Sequence, residues 1–569
     1  MKETTAAGKM LRGALLLSLA AIVTKLLGTL QKIPLQNIGG DGVFGIYNTV
    51  YPFYTLLLTL ATAGFPVAVS RFVAEREAAG NRAGAAEVLR LSGMVMLALG
   101  CAGGLGMYFG APLLAHWIGN QQLVPALRCA APALFFVPAS AALRGYFQGL
   151  QDMLPTAVSQ VMEQAIRVGV MIVLLLTYTA AGASDSTVAA GAMIGSAAGG
   201  LAGLGVMLLY WQKHRRSTEV ISWERDRSGW KDSHEDTLSK PIAGGRRHGE
   251  GEPRDVEARG GRLLKQLLAY AIPICLAALA VPLMGLVDTF TLPRLLKQGG
   301  WDELGSMIQV GIYNRGIPLV QLVTMLASSL SVLFIPAMAE FKFRGDQGNI
   351  ESHSRLALRW FWLIGLAASA GLAVLAEPIN IMLYKDTAGT DAMQWIALTA
   401  APGTMLALTA ALLQGLGTVR APALYLAGAA ALKIVLNLLL VPQLGITGAA
   451  IAGVAAYSFA AALSLALLVK TTALRLRLAD AVLKPALLVA ALALAVLALR
   501  WLADAAGLGP GRAIAAAESL LGVFLGAAVF AAGVVWLRLM TGPKIEALPK
   551  IGPKLARLLR RVRLLPPQE

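Results

Sequence analysis

The residues of this chain that could do chemistry are a few charged side chains set within long apolar stretches. Five cations stand there, Lys25, Arg128, Arg167, Arg315 and Lys433, with Arg500 at the end of another such stretch. The clear interior acids are Glu163 and Asp288, and Glu518 lies nearer an end. An ionisable group inside a membrane span is costly to keep, so it marks a ligand or ion path unless a partner neutralises it. The excess of Lys and Arg over Asp and Glu favours an anionic ligand. Glu163 and Arg167 stand four apart and share a helix face, either as an internal ion pair or as a pair that a ligand anion can open. Arg128, about one turn inside its stretch, reads as an interfacial anchor as well as a candidate ligand cation. The sequence holds no Gly-x-x-x-x-Gly-Lys loop, no Gly-x-Ser-x-Gly and no His-Glu-x-x-His, so no catalytic residue is assigned and no enzyme is expected. The five histidines are dispersed, and no metal site is expected. Cys101, Cys129 and Cys275 lie in apolar stretches without a Cys-x-x-Cys pair and read as small core residues.

The elements that must hold these groups follow from composition. The chain has 569 residues, 56% hydrophobic and only 14% charged, too little charge to cover a water-soluble protein of this length. Apolar segments of about 20 residues recur, each long enough to cross a hydrocarbon core as a helix. Fourteen spans are expected near 11–30, 46–70, 91–111, 124–143, 157–179, 187–211, 266–290, 312–339, 357–376, 391–413, 422–441, 445–469, 481–502 and 513–537. The fold class is therefore an all-α polytopic membrane protein. The N-terminal cations Lys2, Lys9 and Arg12 precede an apolar run that Lys25 interrupts, and the segment reads as a retained first span rather than a signal peptide.

The formal charge of +17 is placed by topology rather than by nucleic acid. With the N-terminus inside, about 38 Lys and Arg fall on inner segments and about 5 on outer ones (Lys32, Arg294, Lys297, Lys385 and Arg512). Setting aside the long polar segment still leaves about 25 against 5. Both termini are thus expected in the cytoplasm of a cell whose plasma membrane the chain crosses many times. The expected organisation is an N-terminal six-helix bundle over 1–211 and a cytoplasmic, disordered linker over 212–265. A second six-helix bundle follows over 266–470, then two further spans over 471–540 and a basic tail over 541–569. In that tail Leu555, Leu558, Leu559 and Val562 follow helical spacing among Lys and Arg, the pattern of a helix lying on an anionic leaflet. A solvated basic tail is the alternative.

An internal repeat joins the bundles. Gly45-Ile46-Tyr47-Asn48 recurs as Gly311-Ile312-Tyr313-Asn314, Pro52 as Pro318, and Gln148-Gly149-Leu150 as Gln414-Gly415-Leu416, each at an offset of 266. Six spans is an even number, so both copies run the same way through the membrane. Internal repeats of this kind are a transporter plan.

The segment from Lys433 through Asn437, Pro442, Gly445 and Gly448 resembles a signature of the multidrug/oligosaccharidyl-lipid/polysaccharide exporter superfamily. Residues 45–75 and the run from Arg144 to Pro155 resemble its stage V sporulation protein B branch, which groups with the MurJ-type lipid II flippases. The resemblance implies alternating access and outward movement of an undecaprenyl-diphosphate-linked cell-wall precursor. The partners it implies are the lipid-linked oligosaccharide, membrane lipids and cell-wall synthesis enzymes. It also implies a diphosphate clamp at Lys25, in Thr24-Lys25-Leu26-Leu27-Gly28, and at Arg315, before Pro318. Arg167, Glu163 and Arg128 are further candidates. Two arginines of the MurJ pattern are missing, because Gln31 and the run Leu56-Leu57-Leu58 stand at those positions. In related transporters a seventh-span acid helps bind Na+ or H+. Asp288 is that acid here, with Lys433 and Asn437 in span eleven as its expected partners, and the drive is a coupled cation or membrane potential. No cofactor is expected. A different lipid-linked polysaccharide, a drug cation and a non-transporting scaffold role are the competing readings, and a pocket rich in carboxylates would be the mark of the drug exporter.

Overall fold

A chain that crosses hydrocarbon must satisfy its backbone N–H and C=O groups within itself, which favours helices. The computed structural model describes residues 6–232, 253–472, 474, 482–505, 507 and 511–537, and among these there is no strand. Twenty α-helices follow in order. They are α1 (Ala6–Leu30), α2 (Lys32–Thr62), α3 (Phe65–Ala78), α4 (Arg82–Ile118), α5 (Val124–Ala130), α6 (Ala133–Gly149), α7 (Leu154–Ala180), α8 (Asp185–Asp232), α9 (Pro253–Ala278) and α10 (Ala280–Gln298). The remainder are α11 (Glu303–Asn314), α12 (Ile317–Ser331), α13 (Phe334–Phe343), α14 (Gln347–Val374), α15 (Ala376–Tyr384), α16 (Thr390–Leu398), α17 (Ala400–Gly415), α18 (Arg420–Thr472), α19 (Lys484–Ala505) and α20 (Arg512–Trp536).

Eleven helical stretches are long and apolar enough to cross a membrane. Two of them are too long for one crossing: Leu15–Ala78 has 64 residues and Arg420–Thr472 has 53, against the roughly 20 that span a bilayer core. The second bends at Gly445, whose φ of 58° and ψ of −138° suit a residue without Cβ, three residues after Pro442. Splitting both stretches and adding the α9–α10 segment gives fourteen crossings. The α10 helix carries Asp288, Arg294 and Lys297 within its 19 residues. Proline sets several helix starts, as in α3, α5, α7 and α12, where it occupies one of the first two positions and its missing N–H leaves no bond unmade. Asp302 and Asp346 cap α11 and α14, accepting from the N–H of Gly305 and of Asn349. Phe109, Leu494 and Phe524 stand exposed, as a surface solvated by lipid allows.

The chain divides into two compact units. The first comprises Met1–Gly28, Phe53–Leu114 and Leu123–Leu279; the second comprises Thr29–Pro52, Ala115–Gln122 and Ala280–Glu569. This division differs from the expected one at 211 and 266. Residues 29–52 and 115–122 cluster with the second unit, and α9 clusters with the first. The core of the first unit gathers Phe65, Val69, Met96, Phe147, Met207 and Leu267. There α9 packs on Gly64, whose N–H donates to Cys275 Sγ at 3.2 Å. The second unit has one core around Met338, Phe361, Leu408 and Leu412 and another around Leu375, Ile379, Leu492 and Val496, so α19 packs within it.

Three expectations are corrected here. The stretch 212–265, read as a disordered linker, is helical at both ends, because α8 continues to Asp232 and α9 begins at Pro253. Its centre, 233–252, and the basic tail 541–569 lie outside the described residues. The second span does not run unbroken over 46–70: α2 ends at Thr62 and α3 starts at Phe65, where Pro66 cannot continue the hydrogen-bond ladder. Lys32, counted as an outer loop cation, opens α2 and is only 7% exposed.

Candidate functional site

In the first unit, α6, α7 and α8 meet around one carboxylate. Glu163 Oε2 accepts from Arg144 Nη2 and its Oε1 from Arg167 Nη2, both at 2.8 Å. Arg144 also donates to Ser159 Oγ at 2.7 Å, and that hydroxyl donates to the carbonyl of Gly203 at 2.9 Å. Arg144, Glu163 and Arg167 are each less than a tenth exposed. Helix α8 makes room with glycine: a Cβ on Gly199 would lie 2.5 Å from the Glu163 carbonyl, and one on Gly203 3.1 Å from Arg144 Nη2. The expected Glu163–Arg167 pair is thus present as part of a triad. Two guanidiniums share one carboxylate, so the cluster carries net positive charge.

The second unit is organised around Arg315, which is 1% exposed at the break between α11 and α12. Asp41 faces one edge of its guanidinium, at 2.9 Å from Nε and 2.5 Å from Nη2. Asp386 faces another, at 2.5 Å from Nη1 and 3.1 Å from Nη2. Nη1 also reaches Asn380 Oδ1 at 3.3 Å, and the Tyr384 ring lies 5.4 Å from Cζ. Tyr384 OH donates to the Arg315 carbonyl at 3.0 Å. Arg315 therefore neither snorkels to an interface nor stands open to a ligand: its donors are engaged by two carboxylates. Asp386 sits on the half-exposed loop 385–389. Partial burial pushes its carboxyl up, but bonds from Arg315 and from the Ala388 N–H outweigh this and hold it below the ordinary carboxylate range.

A second polar cluster in the same unit surrounds Asp288 of α10. Lys433 Nζ of α18 lies 2.5 Å from Oδ2, and Tyr313 OH donates to the same oxygen at 3.1 Å. Asn437 Nδ2 donates to Asp288 Oδ1 at 3.3 Å and to Thr291 Oγ1 at 2.8 Å. Lys433 and Asn437 are buried, at 3% and 0% exposure. The three residues expected together in the seventh and eleventh spans do meet. The ammonium occupies the position nearest the acid.

Other expected residues lie apart from these clusters. Lys25 is exposed on α1, where Thr24 Oγ1 bonds back to the Ala20 carbonyl. Arg128 is exposed on the short helix α5, with Cζ 5.5 Å from the Tyr108 ring. Arg500 donates to Glu377 and to the Val374 carbonyl. No group of three His, Cys, Asp or Glu capable of holding a metal occurs among the described residues. Sequence reasoning missed Arg144, Asp41 and Asp386 as members of these clusters. Arg144 had a signal, since it falls at the inner end of an apolar run. Asp41 lies 274 residues from Arg315 in the polar Gly-rich start of α2, and Asp386 lies 71 residues away in a loop, and nothing local distinguishes them.

The chain is 33% identical over 552 residues to the uncharacterized membrane protein YabM of Bacillus subtilis (strain 168), covering 97% of this chain and 96% of that one. It is 25% identical to the lipid II flippase MurJ of the same organism, over 72% of this chain and 73% of MurJ. It is also 25% identical to that organism's stage V sporulation protein B, over 66% and 67% of the two chains. A solved structure of lipid II flippase MurJ in an inward closed conformation has the same fold, with a TM-score of 0.61 at 13% identity, covering 92% of this chain and 99% of that one. A model of the family described as "Polysaccharide biosynthesis protein" matches residues 10–342. These buried charged clusters stand on a fourteen-span helical frame, and the chain belongs to the polysaccharide biosynthesis protein family.

Proposed function

We propose that the protein moves an undecaprenyl-diphosphate-linked, lipid II-like cell-wall precursor from the inner to the outer leaflet of a bacterial plasma membrane by alternating access, with both termini cytoplasmic. The observation that carries this reading is the net positive charge of the Arg144–Glu163–Arg167 triad within the spans. A diphosphate is hard to carry through hydrocarbon because its charge loses water, and fixed buried cations offset that loss. A drug-cation exporter needs available buried carboxylates, whereas Glu163 and Asp288 are both engaged by Arg or Lys here. The likeness to a lipid II flippase points the same way.

In this reading Arg167 and Lys25 of the first unit bind the diphosphate, and Arg128 guides the head group at the interface. Glu163 holds Arg167 until the substrate arrives. Arg315 of the second unit is a separate candidate, able to take a phosphate in place of Asp386, because a phosphate presents the same paired oxygens to a guanidinium. The Lys433 ammonium stands where a coupling cation would bind Asp288, with Asn437 holding the acid's other oxygen. Membrane potential is then the drive, worth about 2.3 kcal/mol per charge per 100 mV for an anion moving outward. Enzymes of wall synthesis that consume the product are the expected partners. Transport of another lipid-linked polysaccharide unit is the second reading, favoured by the description of the matching family.

Complementation tests the cargo. A strain depleted of its lipid II flippase should grow with the wild-type chain and fail with Arg167→Ala or Arg315→Ala at matched membrane levels. Failure of well-expressed wild type would reject the lipid II cargo in favour of the second reading. Full rescue by both variants would reject the cation assignments.

A further inference from the structure

Helix α7 carries more polar residues than the triad uses. Gln160, Gln164 and Arg167 stand at i, i+4 and i+7 and so share one side of the helix. Gln164 is 4% exposed. Gln160 Oε1 is buried and has no hydrogen-bond partner. A sealed carbonyl oxygen without a donor destabilises a fold, and leucine at 160 would avoid that cost. The carboxamide therefore calls for a donor that the chain does not supply. Helix α1 meets this side of α7 through glycine. A Cβ on Gly13 would lie 3.0 Å from Met153 Cγ, and one on Gly28 would lie 3.4 Å from Gln164 Nε2. The two helices thus run the same way, and Lys25, three residues before Gly28, stands about one turn from that contact.

Along the helix axis Gln164 lies about 4.5 Å and Gln160 about 10 Å from Arg167. On the orientation read from loop charges α7 starts at the cytoplasmic side, so both carboxamides stand between Arg167 and the cytoplasm. A carboxamide offers a carbonyl acceptor and an NH2 donor side by side, without charge. That pairing matches a hydroxyl or an acetamido group, whereas an ionised phosphate has no hydrogen to give the carbonyl. The stretch beside Arg167 thus suits a neutral, hydrogen-bonding group joined to a phosphate. We propose that Gln160 and Gln164 read the first sugar of the cargo, the pyranose joined to the diphosphate. With the phosphate on Arg167, Gln160 Oε1 accepts from a ring hydroxyl or acetamido N–H of that sugar, and Gln164 Nε2 donates to one of its oxygens. The inference rests on the proposed transport of a lipid-linked diphosphate and adds the part of the head group that α7 selects. A polyprenyl diphosphate without a sugar leaves Gln160 Oε1 unmet.

Binding by the full-length protein in lipid nanodiscs tests this with two probes, a polyprenyl diphosphate carrying one N-acetylhexosamine and the same lipid without sugar. Wild type should bind the glycosylated probe several-fold more tightly. Gln160→Leu should bind that probe about fivefold more weakly, as loss of one hydrogen bond does, and so lose most of the preference. Its melting temperature should equal or exceed that of wild type, because an apolar group of similar size removes the unmet carbonyl. Gln160→Met serves if the branched side chain does not pack. Arg167→Ala should weaken both probes. Equal binding of the two probes by wild type overturns the sugar assignment and leaves the diphosphate reading standing, whereas binding of neither overturns both. A Gln160→Leu protein with a lowered melting temperature and an unchanged preference would make Gln160 a packing residue and end the proposal.

Discussion

Arg315 shows how a charge becomes affordable inside a membrane protein. Its guanidinium is enclosed by Asp41, Asp386 and Asn380, so removing it leaves the partly buried Asp41 without its counter-charge. Breaking such a pair costs about 3–5 kcal/mol. Arg315→Ala is therefore expected to lower the melting temperature markedly in detergent, and Arg315→Ala/Asp41→Asn to recover much of the loss. The pair with Asp386 is also pH-dependent. Because the folded-state value of Asp386 lies below the ordinary 3.8, its contribution is complete above that ordinary value. It is lost as pH falls through the lowered folded value. The difference in melting temperature between wild type and Asp386→Asn should hold from neutral pH down to about 4 and shrink below it. For Asp288, Lys433→Met leaves the carboxylate with only Tyr313 and Asn437. Transport by that variant should become dependent on Na+ or on pH, and flux measured across imposed ion gradients would show it. These residues differed in how far the sequence announced them. Charges inside apolar runs are rare enough to see, so Glu163, Arg167, Asp288, Arg315 and Lys433 were legible. Their partners were not, because an aspartate in a short polar stretch, as Asp41 is, carries no local sign of a contact 274 residues away.

At the scale of elements, glycine sets how closely helices approach. A Cβ on Gly45 of α2 would lie 1.9 Å from the carbonyl oxygen of Met307 on α11, and a Cβ on Gly311 would lie 2.0 Å from that of Asp41. Gly45→Ala or Gly311→Ala must push the two backbones apart, and either should reduce the yield of folded protein and its melting temperature. Gly106→Ala and Gly110→Ala, where a Cβ meets nothing within 4 Å, provide the contrast. Both lie within α4, and there alanine should be neutral or stabilising by about 0.5–1 kcal/mol. The repeated Gln-Gly-Leu motifs have a matching use. Gly149 packs on the Ser70 carbonyl of α3 in the first unit, and Gly415 on the Ile335 carbonyl of α13 in the second, each at 2.7 Å from its would-be Cβ. The apolar runs gave the crossings, because period and length are local. The breaks after Thr62, Asn314 and Leu398 were harder to foresee, since each is a turn of irregular helix inside an apolar run. The helical ends of the 212–265 stretch were missed for the opposite reason: charged sequence can be helical without showing an apolar face.

For the whole molecule, the asymmetry of loop charge predicts orientation. A single cysteine at 299, introduced in a chain with its three native cysteines replaced, should react with an impermeant maleimide added outside intact cells. A cysteine at 216 should react only after the membrane is opened. The reverse pattern would overturn the assigned topology. Fold class and repeat were legible at this scale because both rest on long-range periodicity. The division into two compact units was not, since it depends on how α2 and α9 pack rather than on where polar sequence lies.

The crossing of α2 with α11 has a consequence for descent. Adding 266 to Asp41 gives Met307, and to Gly45 gives Gly311, so residue 45 rests on 307 while 311 rests on 41. Contact of i with j matched by contact of j with i is the signature of an isologous interface between identical subunits. The crossing thus has the geometry of a two-fold contact between the two repeats. Substitutions on one side of such a contact are constrained by the other. Relatives of this chain should therefore change positions 45 and 307, or 41 and 311, in company.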